Sequence, residues 1–351
     1  MEIGIDSFAA VVSDPVTGET LPAVERVANL LEEIEAADRA GVDDFGIGEH
    51  HRKEYLDSAP TLILAAAAAR TERIRLTSAV TVLSANDPVR VFQEFATLDL
   101  LSRGRAEMVV GRGSSIEAYP LFGFDLADYD SLFAEKLGLL LQIRDETNVT
   151  WSGRHRPALT GQGVFPRPVQ EQLPIWLGVG GTPESFARAG LLGLPLMVAI
   201  IGGTFERFRP LVDLYREAGR HAGFAPGDLK VGVHAFGFVA DTDREAIDAT
   251  WPGYERLMGT VGRERGWSPP SKAQYEAATR PGGAYLIGDP DAVVAKAQHV
   301  DEALGGIDRL TFQMTNVLLP HEAMLHSIDL LGTDAAPRIR AEAAREVVAS
   351  A

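Results

Sequence analysis

The stretch IRLTSAVTVLSANDPVRVFQEFATLDLLSRGRAEMVVGRG, residues 74–113, decides the fold of this 351-residue chain. Its first part, Ile74–Leu83, is rich in β-branched residues and predicts a strand. Asp87 and Pro88 are typical of a helix start, where a side-chain acceptor and a missing N–H are both favourable. Apolar residues then follow at helical spacing. A second apolar run, Arg105–Val110, completes a strand–helix–strand unit, which predicts two parallel strands.

Outward from this unit, the chain repeats the same alternation of strand and helix. Strands are predicted at Ile3–Phe8, Asp44–Gly48, Ile74–Leu83, Arg105–Val110, Pro174–Val179, Leu196–Ile201, Lys230–Ala240 and Arg309–Met314. Eight such units predict an α/β fold, a closed (β/α)8 TIM barrel forming a single domain over residues 1–351. An open doubly wound sheet is the competing architecture. The lack of a Gly-x-Gly-x-x-Gly motif after the first strand disfavours it.

Two segments interrupt the alternation, near residues 148–172 and 252–288. The first predicts a hairpin followed by a Pro-rich link. In the second, residues 266–283 are rich in Pro and Gly, and we predict an irregular segment there. Both are insertions in strand–helix connections, where such segments often form the wall of a substrate pocket.

Composition excludes several classes of protein. The formal net charge of −16 argues against binding to nucleic acid or to an anionic membrane surface. The chain has no Cys, which excludes disulfides, thiolate metal sites and a cysteine nucleophile. It shows no targeting segment and no run of about 18 apolar residues. We therefore expect a cytoplasmic protein that acts on a small molecule.

Candidate chemistry lies at the predicted carboxyl ends of strands, where TIM barrels carry their active sites. Glu49, His50 and His51 follow the second strand, and histidine suits proton transfer near neutral pH. The alternative is that one His caps a loop while the other faces solvent. Neighbouring side chains on extended backbone point to opposite faces, so we expect no metal site here. His234, within the seventh strand, is predicted to be a core or lumen residue.

Two further strand ends suit an anion. Arg112 follows the fourth strand, and its guanidinium can form a bidentate pair with a phosphate. The alternative is a structural ion pair with a carboxylate at the top of the barrel. The fifth strand ends in a glycine-rich turn, Gly178–Thr182, with Pro183 opening the next helix. Amides at a helix N-terminus bind anions, so the turn and Arg112 are predicted to hold one phosphate together.

Taken together, these motifs resemble the bacterial luciferase-like flavin-dependent monooxygenases. The resemblance extends from Ile3 to about Leu330, and its pieces occur in the family's order and spacing. Those pieces are Glu49–His51, Thr77–Arg90, Leu101–Arg105, Gly111–Gly113, Gly178–Thr182 and Gly288–Asp291.

The resemblance implies a barrel that binds reduced FMN at its carboxyl end. It implies that the phosphate is held by Arg112 and by the backbone of Val179, Gly180, Gly181 and Thr182. It also implies a cis peptide between Ala79 and Val80 beneath the isoalloxazine ring, with Glu49 near the flavin. His50 would lie beside the reactive face as a general acid or base. Some family members carry an acidic residue and a Ser where this chain has Val179 and Gly180. Side-chain contacts from those two positions are therefore not expected.

The implied activity is insertion of one oxygen atom from O2 into a small organic substrate, with reduced FMN as co-substrate. F420-dependent hydride transfer is one alternative, and a non-catalytic flavin-binding protein is another. The resemblance also implies a separate NAD(P)H–flavin reductase and a homodimer. The dimer would form through the helices after the second and third strands, which include the small-residue run Ala65–Ala69.

Overall fold

The strands of the protein close into a barrel. A computed structural model describes residues 1–14, 16–113, 115–266, 268–315 and 317–350. The strands, in chain order, are β1 (Glu2–Ser7), β2 (Asp44–Ile47), β3 (Arg75–Ser78), β4 (Thr81–Val82), β5 (Met108–Gly111), β6 (Asn148–Trp151), β7 (Leu159–Gly163), β8 (Ile175–Val179), β9 (Leu196–Ala199), β10 (Val231–Val239), β11 (Leu286–Gly288) and β12 (Arg309–Gln313).

The strand order in the large sheet is β3-β2-β1-β12-β10-β9-β8-β5-β4, and its neighbours pair in parallel. A bridge between Leu76 and Ala106 joins β3 to the start of β5, which closes the ring. The predicted TIM barrel is therefore confirmed. The strand predicted at Ile74–Leu83 is divided into β3 and β4 around the Ala79–Val80 peptide bond, which is cis. These two strands share the third position of the wall.

Helices cover the outside of the barrel. They are α1 (Ala23–Ala40), α2 (Pro60–Ala68), α3 (Pro88–Ser102), α4 (Ala118–Leu121), α5 (Tyr129–Asp145), α6 (Pro183–Leu191), α7 (Arg209–His221), α8 (Asp243–Arg265), α9 (Lys272–Thr279), α10 (Pro290–Leu304), α11 (His321–Leu330) and α12 (Ala336–Ser350). The predicted start of α3 is confirmed, since the Asp87 carboxylate accepts the N–H groups of Val89 and Arg90. No helix in the described ranges is long and apolar enough to cross a membrane.

The two predicted insertions contain regular structure. The first holds the antiparallel hairpin β6–β7. The second holds the end of α8, then α9, then β11, which pairs in parallel with β10. The prediction of an irregular segment at 266–283 is wrong over α9, and residue 267 lies outside the described residues. The Lys296 ammonium, on the neighbouring α10, donates to the carbonyls of Thr279 at 2.8 Å and Gly283 at 3.1 Å. These hydrogen bonds satisfy carbonyl groups at the C-terminal end of α9. They come from a different helix, so the local sequence does not predict them.

Alternation along β1 separates residues of the apolar core from residues of the barrel lumen. On β1, Ile3 and Ile5 are buried in the core beneath the helices. Gly4 and Asp6 point the other way, toward the barrel axis, where Asp6 lines a cavity. This period of two is the pattern expected of a barrel strand.

A buried ionic cluster fills the floor of the barrel, at the amino ends of the strands. Arg309 donates to Glu107 and, at 2.9 Å, to Glu2, and it lies 3.3 Å from Asp44. Arg75 reaches Glu2 at 2.8 Å. Three carboxylates thus face two guanidinium groups. Burial raises the pKa of Asp44 to about 7; Arg309 opposes this rise, and the charge of Glu107 adds to it.

Replacing Asp44 with Asn is expected to change how stability depends on pH. Between about pH 4 and pH 7 the folded protein holds the Asp44 proton and the unfolded chain has lost it. This group's contribution to the free energy of unfolding therefore falls as the pH rises through that window. Asp44→Asn removes this fall. As the pH rises through the window, the free energy of unfolding of the variant should therefore increase relative to that of wild type, on the order of 1 kcal/mol per pH unit.

Urea unfolding across this pH range measures the effect. Asp329→Asn, at an exposed position on α11, is the matched control and is expected to follow wild type. Parallel profiles for wild type and Asp44→Asn would contradict the raised pKa.

Candidate active site

A cavity of about 660 Å³ opens at the carboxyl ends of the strands and continues into the barrel. Every residue predicted for the site lines it: Glu49, His50, Ala79, Val80, Arg112, Val179, Gly180, Gly181 and Thr182. These residues come from the ends of the second, third, fourth and fifth strand positions. Closure of the barrel brings them together, since parallel strands end at one rim. The volume lies within the range of about 300–1,000 Å³ that is usual for ligand and cofactor sites.

Arg112 meets the start of α6 at one side of this rim. Its Nη2 lies 3.4 Å from the Thr182 hydroxyl and 3.3 Å from the Ser185 hydroxyl. Its Nη1 donates to Asp130 at 2.6 Å, and the guanidinium lies over the ring of Tyr129. The ion pair that was the alternative for Arg112 is therefore present. The Asp130 side chain is 75% exposed, so this pair is weak and an anion can compete for the guanidinium.

The glycine-rich turn leaves room for a ligand beside the backbone. Among the described residues, nothing lies within 4 Å of the place where a Cβ would stand on Gly180 or Gly181. Thr182 occupies the N-cap position of α6, and Pro183 opens the helix as predicted. The Thr182 side chain accepts no helix N–H and instead contacts Arg112. A cation, two hydroxyls and the positive end of a helix dipole thus converge on one place.

The Ala79–Val80 segment joins β3 to β4, and the Val80 side chain reaches over β5 and β8. Val80 lies against Gly111 and Gly178, where an added Cβ would stand 2.8 Å from a Val80 methyl carbon in each case. Only glycine at these two inward-facing positions leaves space for the Val80 side chain. The segment thereby forms part of the cavity wall next to Arg112.

Glu49 holds the chain that follows this segment. Its carboxylate accepts the N–H of Val82 at 2.8 Å and the amide of Asn86 at 2.9 Å. His51 Nε2 lies 3.1 Å from the same carboxylate, and the His51 ring meets Phe122 edge to face. His51 is therefore directed away from His50, as predicted, and is not solvent-facing. Glu49 lines the cavity with its carboxylate already engaged by protein groups.

His50 is oriented by a buried carboxylate that the sequence analysis did not single out. Asp57 Oδ2 lies 2.8 Å from His50 Nδ1, and Asp57 Oδ1 accepts the His50 backbone N–H at 3.1 Å. Burial raises the pKa of Asp57, and the hydrogen bond and charge of His50 oppose that rise. The pair places the His50 proton on Nδ1 and leaves Nε2 for a ligand. The only sequence signal for Asp57 was that it lies close to His50 along the chain. Glu54 lies closer still, so this signal does not single out Asp57.

A second histidine–carboxylate pair lies in the lumen. His234 Nδ1 contacts Asp6 Oδ2, and both residues line the cavity. The ring of Phe8 stands between the two histidines, 4.7 Å from His50 and 6.1 Å from His234. The prediction of His234 as a lumen residue is confirmed. Asp6 could have been predicted as a site residue because it is a charged residue within the otherwise mostly apolar strand predicted at Ile3–Phe8. In the part of the chain that the structure describes, no three His, Asp or Glu side chains are placed to hold a metal ion.

Helix α8 covers the cavity from the side of the second insertion. Its apolar contributions to the lining are Leu257, Met258 and Val261. Arg52, which follows the second strand, donates to Glu264 of α8 at 2.6 Å and to Glu117 at 2.7 Å. These contacts fasten α8 over the mouth. The second insertion thus lines the pocket, as predicted. The prediction is wrong for the first insertion, because β6 and β7 lie in a helix–strand connection, between α5 and β8, and none of the described residues 148–172 lines the cavity.

Comparison with known proteins shows the family to which the chain belongs. The family model of the luciferase-like monooxygenases matches residues 1–306. The 4-hydroxyprotoasukamycin monooxygenase of Streptomyces nodosus subsp. asukaensis is 30% identical over 329 residues, which is 88% of this chain and 85% of that protein.

Two solved structures share the fold. Monooxygenase RslO1 from Streptomyces bottropensis has a TM-score of 0.82 at 24% identity, covering 96% of this chain and 99% of that one. The oxygenating constituent of 3,6-diketocamphane monooxygenase from Pseudomonas putida, a type II Baeyer–Villiger enzyme in complex with FMN, has a TM-score of 0.76 at 20% identity, covering 96% and 98%. On the family match and the 30% identity, the chain belongs to the luciferase-like monooxygenase family.

Proposed function

We propose that this protein is an FMN-dependent monooxygenase that inserts one oxygen atom from O2 into a small organic substrate. The observation that carries the proposal is that two kinds of functional group line one cavity. Arg112, Thr182 and Ser185 form an anion site at its rim, and the His50–Asp57 pair provides a proton-transfer group on another wall. Membership in the luciferase-like monooxygenase family supports the same reaction class.

The anion site fits the phosphate of FMN. Arg112 would neutralise charge, the hydroxyls of Thr182 and Ser185 would donate, and the open space at Gly180 and Gly181 admits the ligand to the backbone. F420 carries a longer anionic tail, which needs further cations. The other arginines lining the cavity are already engaged: Arg52 by Glu117 and Glu264, and Arg309 by the floor cluster. FMN is therefore the better fit.

The protein residues would position the reactants and handle protons. Reduced FMN, when bound, supplies the electrons that activate O2. His50 Nε2 would donate or accept the proton, because Asp57 fixes the ring and its tautomer. Glu49 would keep Val80 and its neighbours in place through the Val82 N–H. The apolar face of α8 would exclude water from the reacting groups.

Two partners belong to the proposal. A separate NAD(P)H–flavin reductase would supply reduced FMN, since the sequence carries no dinucleotide fingerprint. A second copy of the chain would pack on α2, where Leu62 is 73% exposed and Ala66 and Ala69 are exposed on the same helical stripe. Leu101 of the adjacent α3 is 56% exposed and extends this apolar surface.

Removing the rim cation is expected to weaken FMN binding selectively. Arg112→Ala should raise the Kd for FMN about 10- to 100-fold, which corresponds to one charged hydrogen-bonded contact. Binding of riboflavin, which lacks the phosphate, should change less than about twofold. Flavin fluorescence titration measures both ligands. Arg207→Ala, at an exposed position beyond β9, is the matched control. An equal loss for both flavins would contradict phosphate binding at Arg112.

Removing the histidine is expected to slow the oxygenation while leaving cofactor binding unchanged. His50→Gln should lower the yield of oxygenated product by about 100-fold or more, the usual contribution of a positioned acid or base. The assay supplies chemically reduced FMN, 18O2 and a panel of cyclic ketones and terpenes, with label incorporation read by mass spectrometry. The Kd for FMN should stay unchanged.

The matched control is His326→Gln, on the exposed side of α11. Substrate-dependent reduction of F420 by wild type, without label from 18O2, would replace the proposal with hydride transfer. Tight FMN binding without product from any compound would favour the non-catalytic alternative.

A charge on the apolar stripe is expected to separate the dimer. Wild type should sediment as a dimer at micromolar concentration, and Leu62→Glu should sediment as a monomer because the glutamate would be buried unpaired in the interface. Val24→Glu, at another exposed apolar position on α1, should remain dimeric. A monomeric wild type would contradict the dimer.

A further inference from the structure

The wall of the cavity opposite the anion site carries its own set of polar groups. Around the ring of strands, β5 and β8 support Arg112 and Thr182, whereas β10, β12 and β1 lie on the far side. Strand register places Gln313 of β12 level with Asp6 of β1 and with Phe236 of β10. Thr311 and His234 lie level with each other, two residues deeper in the barrel. All five side chains line the cavity. We call Asp6, His234, Thr311 and Gln313 the lumen wall.

Two members of the lumen wall are buried without a partner. Gln313 is 3% exposed, and both its Nε2 and its Oε1 lack a hydrogen-bond partner within the described residues. The Thr311 hydroxyl, on a residue 1% exposed, is in the same state. Buried polar groups of native proteins are nearly always hydrogen-bonded, so an unpartnered amide and hydroxyl on residues that line a cavity indicate a ligand group. The amide offers both a donor and an acceptor.

The charges near the lumen wall are already paired within the protein. Asp6 contacts His234, and Arg309 beneath them contacts Glu107 and Glu2. Asp44, which also lines the cavity, lies 3.3 Å from Arg309. A charged ligand group would have to leave water without finding a free opposite charge, which is unfavourable. An uncharged group meets no such penalty. Phe8 and Phe236 flank the wall with aromatic surface, and this surface suits an apolar skeleton.

The lumen wall adjoins the proton-transfer group. β1 pairs with β2, and His50 follows β2 directly. Phe8, which follows β1, contacts the rings of both His50 and His234. A molecule held by Gln313 would therefore sit beside His50 and across the cavity from Arg112.

We propose that the lumen wall binds the polar end of the substrate, and that this end is an uncharged oxygen-bearing group, a carbonyl or a hydroxyl, on a largely apolar skeleton. Gln313 is the specificity-determining residue: its Nε2 donates to the oxygen, and its Oε1 accepts a substrate hydroxyl where there is one. This proposal rests on the proposed monooxygenase function, because it concerns the substrate of that reaction. The binding itself is testable without turnover.

Four probes of matched shape test it: cyclooctanone, cyclooctanol, cyclooctane and cyclooctanecarboxylate. Their binding to the FMN-loaded protein and to the cofactor-free protein is measured by ligand-observed NMR. Wild type is expected to bind the ketone and the alcohol at least about tenfold more tightly than the hydrocarbon or the carboxylate, the effect of a buried hydrogen-bonded group. Gln313→Leu should reduce this preference to less than about twofold while leaving the Kd for FMN unchanged.

Two further variants test whether the amide of Gln313 is responsible for the preference. Gln313→Met retains the length of the side chain but removes both the amide donor and the amide acceptor, so the ketone should bind as weakly as the hydrocarbon. Gln274→Leu makes the same substitution at an exposed position on α9 and should preserve the wild-type preference. Thermal unfolding confirms that each variant is folded.

No preference in wild type, or a preference that survives in Gln313→Leu, would overturn the proposal. A crystal of the FMN-loaded protein soaked in cyclooctanone should show the carbonyl oxygen at Gln313 Nε2. Water alone at Gln313, with the ketone elsewhere or absent, would overturn it too. Failure of the monooxygenase function is seen separately, as loss of FMN binding or of 18O incorporation by wild type.

Discussion

The ionic cluster at the floor of the barrel is the contact on which the rest of the structure depends. Arg309 of the last strand lies between Glu2 of the first strand, Asp44 of the second and Glu107 at the start of the fourth strand position. It also lies over the ring of Trp176 on the fifth. Removing one member of such a buried group leaves its partners uncompensated, so the whole cluster must form together. It joins strands that are up to 307 residues apart, and it leaves the lumen above it open to a ligand.

Above this floor, the cavity has walls of different chemistry because each strand ends in different residues. The β5–β8 side offers a cation and hydroxyls, the β2 end offers an oriented imidazole, and the β12–β1 side offers neutral hydrogen-bonding groups. Helix α8 closes the mouth with apolar side chains. Gly111 and Gly178 have no side chains, which leaves space for the Val80 side chain in the wall of the cavity. A barrel of parallel strands can hold such unlike groups around one cavity, since its rim collects eight strand ends from one chain.

Much of the candidate site could be predicted because its residues lie next to strand ends in sequence. His50, Arg112 and Thr182 follow apolar runs directly, so their place on the rim follows from the strand pattern alone. Asp57 and Ser185 could not be assigned in this way. Their roles depend on how a loop folds back onto His50 and on which face of α6 meets Arg112. Lys296 shows the same limit in the fold, since the carbonyls it caps lie on another helix.

The sequence by itself determined the alternation of strands and helices, the barrel, and the rim positions of the candidate site, because hydrophobic period and helix-capping residues are local properties. Only the tertiary structure decided which side chains meet: the Asp6–His234 pair, the orientation of His50 by Asp57, and the unpartnered Gln313. Such pairings depend on strand register and barrel closure. Both arise from contacts between different strands, some close in sequence and some hundreds of residues apart, and a local pattern carries no information about them.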